Sequence, residues 1–228
     1  MNRLVLFDID ETLVEGVAGH KKVFSAAFKK VYGVETTIDV VSYSGMTDPQ
    51  VVLEVLRKNG LSDQVIISKM EDCLKAMVAS FKEIVGSDKI TILPGVKKLL
   101  EEFKKRGILL GLVTGNLEPI AISKLNKVGL SAYFKVGGFG SDDIHRVNLI
   151  KLAIKRAREE LSFESNNNVF LFGDSVKDIE AGKEAEVKTV GVATGIYSEE
   201  QLKAAGADFA FENLEDTGKV LDRLLKNE

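Results

Sequence analysis

Hydrophobic positions fall along the chain in two different patterns. Apolar runs at Leu4–Phe7, Ile108–Val113, Val169–Phe172 and Thr189–Val192 show little alternation and read as strands buried on both faces of a parallel sheet. Between them, apolar residues recur three and four apart and glycine or proline marks the ends. These stretches read as helices: Val96–Arg106 stopped by Gly107, Pro119–Val128 stopped by Gly129, about Val147–Leu161, and Val176–Ala185. A short strand at Phe134–Gly137 and a weak last pair, Asp208–Phe211 with Glu215–Leu225, complete a βαβ alternation. Ser165–Asn168 reads as a plain surface connection.

One region breaks the alternation. From about Ala18 to Val31, Val23, Ala27 and Val31 lie four apart with Phe24 and Phe28 beside them, and Gly33 ends the pattern. A polar connection through Gly45 and Asp48 leads to Val51, Val52, Val55 and Leu56, then Gly60, then one long helical pattern from about Gln64 to Val85. Met70, Leu74 and Met77 on it fit ordinary packing. The expected organisation is α/β: a Rossmann-like parallel-sheet core of residues 1–15 and 91–228, with an all-helical domain of residues 16–90 inserted between Gly16 and the Ser87–Gly95 stretch.

Composition narrows the function classes. The chain has 228 residues, 45% of them hydrophobic, enough for a sizeable core. Its 31 basic and 34 acidic side chains give a net charge of −3 without a polybasic block, so neither nucleic acid nor a membrane surface is favoured as a partner. Cys73 is the only cysteine, which excludes an intrachain disulfide and suits a reducing interior. The N-terminal apolar run is cut short by Asp8, and no stretch reaches the roughly 20 apolar residues of a membrane span. A cytoplasmic monomer or homodimer acting on a small molecule is expected.

The chemistry gathers at strand ends. Leu4–Phe7 runs into Asp8 and Asp10; Ile108–Val113 ends in Thr114; Val169–Phe172 ends in Gly173, Asp174 and Ser175. In a parallel sheet all carboxyl ends open on one edge, where ligands bind. Two residues apart on an extended chain, Asp8 and Asp10 would converge and repel unless a cation or a shared proton intervened, and Mg²⁺ is the partner expected of clustered carboxylates. The competing readings are local: a solvated turn at Asp10, a helix cap and first-turn acid at Asp174 and Asp178, and a helix start at Thr114 and Asn116.

FDIDETL, LVTGN and FGDSVKD, in that order, resemble motifs one, two and four of the haloacid dehalogenase superfamily, and the helical insertion after the first is similar to the cap of its phosphoglycolate phosphatase-like and β-phosphoglucomutase-like members. The resemblance covers nearly the whole chain. It implies a Mg²⁺-dependent phosphatase acting on a small phosphorylated metabolite, phosphoglycolate or a sugar phosphate first. Asp8 would be the nucleophile and Asp10 the proton carrier. Asp8, the main-chain carbonyl of Asp10 and Asp174 would hold the metal, with Asp178 orienting them. Thr114, Gly115 and Asn116 would contact the phosphoryl group, and Thr12 would fix the turn after the acids.

The implied third motif is ambiguous, because its usual lysine-proline pair is absent. Arg146, just before a predicted helix, is favoured over Lys151, which lies more than a turn inside it; surface pairing of Arg146 with Asp142 or Asp143 is the alternative. In the inserted region His20 and the Gly45–Asp48 loop, Thr47 included, are candidates for substrate contact. Glu11 stands where similar proteins often carry glycine, and the sequence offers no reason for it. A mutase, a metal-free haloacid dehalogenase and a non-catalytic phosphate-binding module are the rival functions.

Overall fold

The computed structural model describes residues 3–16, 18–86, 89–164 and 168–225. The connection expected at Ser165–Asn168, apart from Asn168, and the Ser87 end of the boundary stretch lie outside the described residues. In chain order the elements are β1 (Leu4–Phe7), β2 (Val14–Glu15), α1 (Ala18–Tyr32), α2 (Asp48–Lys58), α3 (Asp63–Ser68), α4 (Met70–Ile84), β3 (Thr91–Ile92), α5 (Val96–Lys105), β4 (Leu109–Thr114), α6 (Glu118–Lys127), β5 (Val136–Phe139), α7 (Arg146–Leu161), β6 (Val169–Gly173), α8 (Val176–Glu184), β7 (Lys188–Val192), α9 (Glu199–Ala204), β8 (Phe209–Phe211) and α10 (Thr217–Leu225).

Six strands form one parallel sheet in the order β5-β4-β1-β6-β7-β8. The chain winds outward from β1 to β5, returns to β6 on the other side of β1, and winds outward again. The reversal opens a crevice at the carboxyl end of β1, the usual ligand position in such sheets. Every residue of β1 is buried because both faces are covered. Val5 and Phe7 join Leu110, Leu112, Phe170 and Phe172 beneath α5, α6 and α10. Leu4 and Leu6 join Val113 and Leu171 beneath α7 and α8. Phe7 and Phe172 stack at 4.7 Å between ring centroids, with Phe103 packed on both.

The four helices α1–α4 have an apolar cluster of their own, which extends onto Leu117 and Ile120 at the start of α6. The expected single helix over 64–85 divides at Lys69, whose backbone (φ −116°, ψ 6°) ends α3 and starts α4. Two short strands were not anticipated: β2 and β3 pair antiparallel, Val14 with Ile92 and Glu15 with Thr91, clasping the two crossings into the helical region. Helix α9, also unanticipated, starts at a Ser198–Gln201 capping box. β5 begins two residues later than expected, because Ser131–Tyr133 form a 3-10 turn that includes the amide of Phe134. Among the described residues no helix is long and apolar enough to cross a membrane.

Because Phe7 is fully buried at the sheet centre, Phe7→Ala removes a ring that three neighbouring aromatics contact. A loss of about 3–5 kcal/mol is expected in urea unfolding.

Candidate active site

The fold places three carboxylates at one mouth. Asp8 follows β1 directly, and its amide donates to the Phe172 carbonyl (2.9 Å), so the backbone carrying it is an extension of the sheet. Asp174 follows β6. Asp178 lies one turn into α8, where it shares a capping box with Ser175. Ser175, not Asp174, is therefore the cap of α8, while Asp178 is the first-turn acid of the competing reading. Gly173 is required at the end of β6, since a Cβ there would lie 2.2 Å from the Asp178 carboxyl carbon.

Arg146, the first residue of α7, reaches into this cluster. Its Nη2 stands 2.9 Å from Asp8 Oδ1 and 2.6 Å from Asp178 Oδ1. The second contact is off the line that a hydrogen bond requires, and Asp178 Oδ1 is buried without a donor. The surface alternative for Arg146 does not occur: Asp142 pairs with Arg156, and Asp143 accepts from His145 N and Asn148. Three buried carboxylates thus face one guanidinium. Burial, reinforced by Asp178 and Asp10 and opposed by Arg146, pushes Asp8 up to about 7. Burial, with Asp178 and Asp8, pushes Asp174 up to about 9.

A divalent cation would resolve that imbalance. Asp8, Asp174 and Asp178 each offer an oxygen, and the three lie within 4.8 Å of one another. An all-oxygen donor set with one buried oxygen lacking a donor fits a hard ion such as Mg²⁺.

Asp10 belongs to a different network. It lies beyond the end of β1, so strand alternation does not aim it at the carboxylate cluster, and the expected convergence of Asp8 and Asp10 on one cation is corrected. Lys124 on α6, fully buried, donates to both Asp10 oxygens (2.8 and 2.7 Å) and to Asn116 Oδ1 (2.5 Å). Asn116 Nδ2 donates to Asp10 Oδ2 (2.8 Å) and to Thr114 Oγ1 (2.9 Å). Against the upward push of burial, Lys124, His20 and these hydrogen bonds hold Asp10 below the usual carboxylate value.

The helical region closes over the mouth. His20 on α1 places Nδ1 3.2 Å from Lys124 Nζ and Nε2 3.4 Å from Asp48 Oδ1. The Asp48 amide donates to Gly115 O (2.7 Å), and its carboxylate accepts from Leu117 N (2.9 Å). Asp48 therefore caps α6 from outside the core, the role that had been open to Asn116. Gly115 and Met46 are so close that a Cβ on Gly115 would lie 2.2 Å from the Met46 carbonyl oxygen. Between these parts lies a cleft of about 560 Å³, lined by Asp8, Asp10, His20, Asp48, Gly115, Asn116, Arg146 and Asp174 among others.

The chain matches the haloacid dehalogenase-like hydrolase family over residues 5–192. It belongs to that family. It is 26% identical over 218 residues to pyrophosphatase PpaX of Oceanobacillus iheyensis, covering 94% of each chain, and 26% identical over 226 residues to phosphoglycolate phosphatase of Aquifex aeolicus, covering 96% of this chain and 97% of the relative. In fold it is similar to a hydrolase from Pseudomonas syringae (TM-score 0.73, 20% identity, 98% and 99% covered) and to a putative β-phosphoglucomutase from Bacteroides vulgatus (TM-score 0.72, 21% identity, 98% and 89% covered).

Among the residues that the resemblance singled out, four are brought neither to the cleft nor to the carboxylate cluster at its floor. Lys151 is exposed on the outer side of α7, a helical turn and a half past Arg146, and its position is corrected accordingly. Thr12 is fully buried, with an Oγ1 that has no partner, beneath the turn that ties its own and the next two amides to Ile9 O. Thr47 is committed to α2, accepting from Gln50 N as its cap and donating to Ile144 O. Thr114 is buried beneath Asn116 rather than exposed to the cleft.

Lys124 was missed. Its signal was present: Leu117, Ile120, Ala121 and Lys124 share the buried face of α6, and a lysine on an apolar stripe needs a buried acid.

The charge imbalance sets a pH dependence. Unfolded aspartates titrate near 3.8, whereas Asp8 and Asp174 do so at about 7 and about 9 in the metal-free fold. The folded protein then keeps protons that the unfolded chain has released, so this contribution to stability is present at low pH and lost as pH rises through that window. The melting temperature of chelator-treated protein is expected to fall between about pH 6 and pH 9, and Mg²⁺ to raise it more at the upper end. Equal Mg²⁺ shifts at both ends would contradict the assignment.

Proposed function

We propose that this family member is a Mg²⁺-dependent phosphatase that hydrolyses a small phosphate monoester through an aspartyl phosphate on Asp8, acting on a phosphorylated metabolite in the cytoplasm. The observation that carries the reading is Asp8 itself, held rigidly at the mouth of the central strand, 2.9 Å from Arg146 and beside Asp174. The relatives named phosphatases support the same class of reaction.

In the first displacement an Asp8 oxygen attacks phosphorus in line, the ester P–O bond breaks, and the departing oxygen takes a proton from Asp10. In the second, water attacks the phosphorus of phospho-Asp8 while Asp10 takes its proton, and Asp8 is regenerated. The pairing with Lys124 sets Asp10 up as the base of this second step. Arrival of the negative phosphoryl group favours the protonated form needed for the first. Arg146 offsets charge on Asp8 and the phosphoryl oxygens, and the Gly115 amide would donate to them, while Asn116, whose Nδ2 hydrogens go to Asp10 and Thr114, positions Asp10. Mg²⁺, held by Asp8, Asp174 and the Asp10 carbonyl with Asp178 orienting the set, would neutralise phosphoryl charge. The cap limits bulk-water access to the acyl phosphate, leaving the attacking water under the control of Asp10.

Asp8→Asn should lower kcat by at least about a thousandfold while keeping the melting temperature, because it removes the nucleophile and one member of an overcharged cluster. Wild-type turnover in EDTA should vanish and return with Mg²⁺; undiminished turnover in either experiment sinks the mechanism. Lys124→Met should lower kcat by about a hundredfold, the scale of misplaced acid–base catalysis.

A further inference from the structure

The cleft is chemically divided. Its floor, at the carboxyl ends of β1, β4 and β6, is polar. Its roof is lined by the half-buried Tyr43 and Met46, with the almost fully buried Phe24, Ile38 and Val51 of the helical region beside them. Ile196, on the loop after β7, completes the rim from the opposite side. At 74% exposure it is the most exposed large apolar side chain among the described residues. The loop holds it in place: the Thr194 hydroxyl donates to Glu11 O, and Gly195 lies so close to Asp174 that a Cβ would be 1.9 Å from Oδ2. An isoleucine fixed in water beside a reactive cluster gains free energy only when something apolar covers it.

Charge points the same way. Every basic group lining the cleft has an acidic or polar partner: Arg146 has Asp8 and Asp178, His20 lies between Lys124 and Asp48, and Lys21 at the rim pairs with Asp39 at 2.9 Å. The cleft also carries Glu11 and Asp48 outside the carboxylate cluster. A second anionic group on the substrate, whether carboxylate or phosphate, therefore enters a space with acids on its walls and no spare buried cation among the described residues, which is costly. Lys21 is the one group lining the cleft that could exchange its partner, because it and Asp39 are each about half exposed.

We infer, on the phosphatase reading above, that the cleft selects a monoester whose leaving group is uncharged and carries a ring-sized apolar face. That chemistry differs from the pyrophosphate and phosphoglycolate in the names of the relatives. A volume of about 560 Å³ is ample for it, lying within the range of sites that enclose ligands much larger than glycolate.

The test is kcat/KM with Mg²⁺ for benzyl phosphate, phosphoglycolate and pyrophosphate, with p-nitrophenyl phosphate as a general phosphatase probe. Benzyl alcohol and glycolate are both alkyl-type leaving groups, so their difference reads recognition more than bond strength. Benzyl phosphate is expected to exceed phosphoglycolate by about tenfold or more, chiefly through KM, and Ile196→Ser to shrink that ratio severalfold. Equal or reversed preference overturns the inference while leaving the phosphatase reading intact, and a reversed preference that Lys21→Ala removes identifies Lys21 as the anion anchor. Failure to hydrolyse any of the four, p-nitrophenyl phosphate included, overturns the phosphatase reading and the inference with it.

Discussion

Three buried carboxylates facing one guanidinium are the constraint around which the molecule is built. Asp8, Asp174 and Asp178 crowd around Arg146 alone, and the upward displacement of Asp8 and Asp174 expresses that conflict. The sheet holds the conflict in place. Asp8 is hydrogen-bonded to the end of β6, and glycines at 173 and 195 let the backbone approach the carboxylates more closely than any side chain would permit. The parallel order brings the strand ends to a single edge, so residues more than 160 positions apart meet there. The result is a site prepared for positive charge.

Separation of the two motif-one acids follows from the same economy of charge. Asp8 shares Arg146, whereas Asp10 turns to Lys124 and Asn116, which hold its carboxyl below the usual carboxylate value against the push of burial. That second network extends into the helical region through His20 and Asp48, and Asp48 also caps α6 of the core. Arg146 makes a further link, since its Nη1 donates to Gly45 O. The covering helices and the floor of the cleft are therefore joined by the same side chains to which the proposed mechanism assigns the chemistry, and the antiparallel clasp of β2 and β3 ties the two crossings between them.

The core was legible because burial on both faces leaves a direct trace, as in LVLF and VFLF. The meeting of Asp8 and Asp174 was legible because strand ends in a parallel sheet share one edge, and that of Arg146 with them because it opens α7. Side-chain aim was harder to read. Thr12 and Thr47 have the right residue type at the right distance along the chain, yet a buried turn and a helix cap absorb them. The break at Lys69 and the short clasp strands follow from tertiary contacts that have no local period. Glu11 gains a physical account: its φ of 57° places it in the left-handed region where glycine carries least strain, which is why glycine suits the position in similar proteins. Its carbonyl, turned outward by that geometry, accepts the Thr194 hydroxyl that steadies the Ile196 loop.

The central claim is that phosphoryl transfer passes through Asp8. Borohydride quenching of the enzyme during turnover with Mg²⁺ and substrate, followed by peptide mass spectrometry, tests it most directly, because reduction of an aspartyl phosphate leaves homoserine at the modified position. The account predicts homoserine at position 8, only when substrate and Mg²⁺ are both present. Steady turnover with the reduced residue at another position would contradict it.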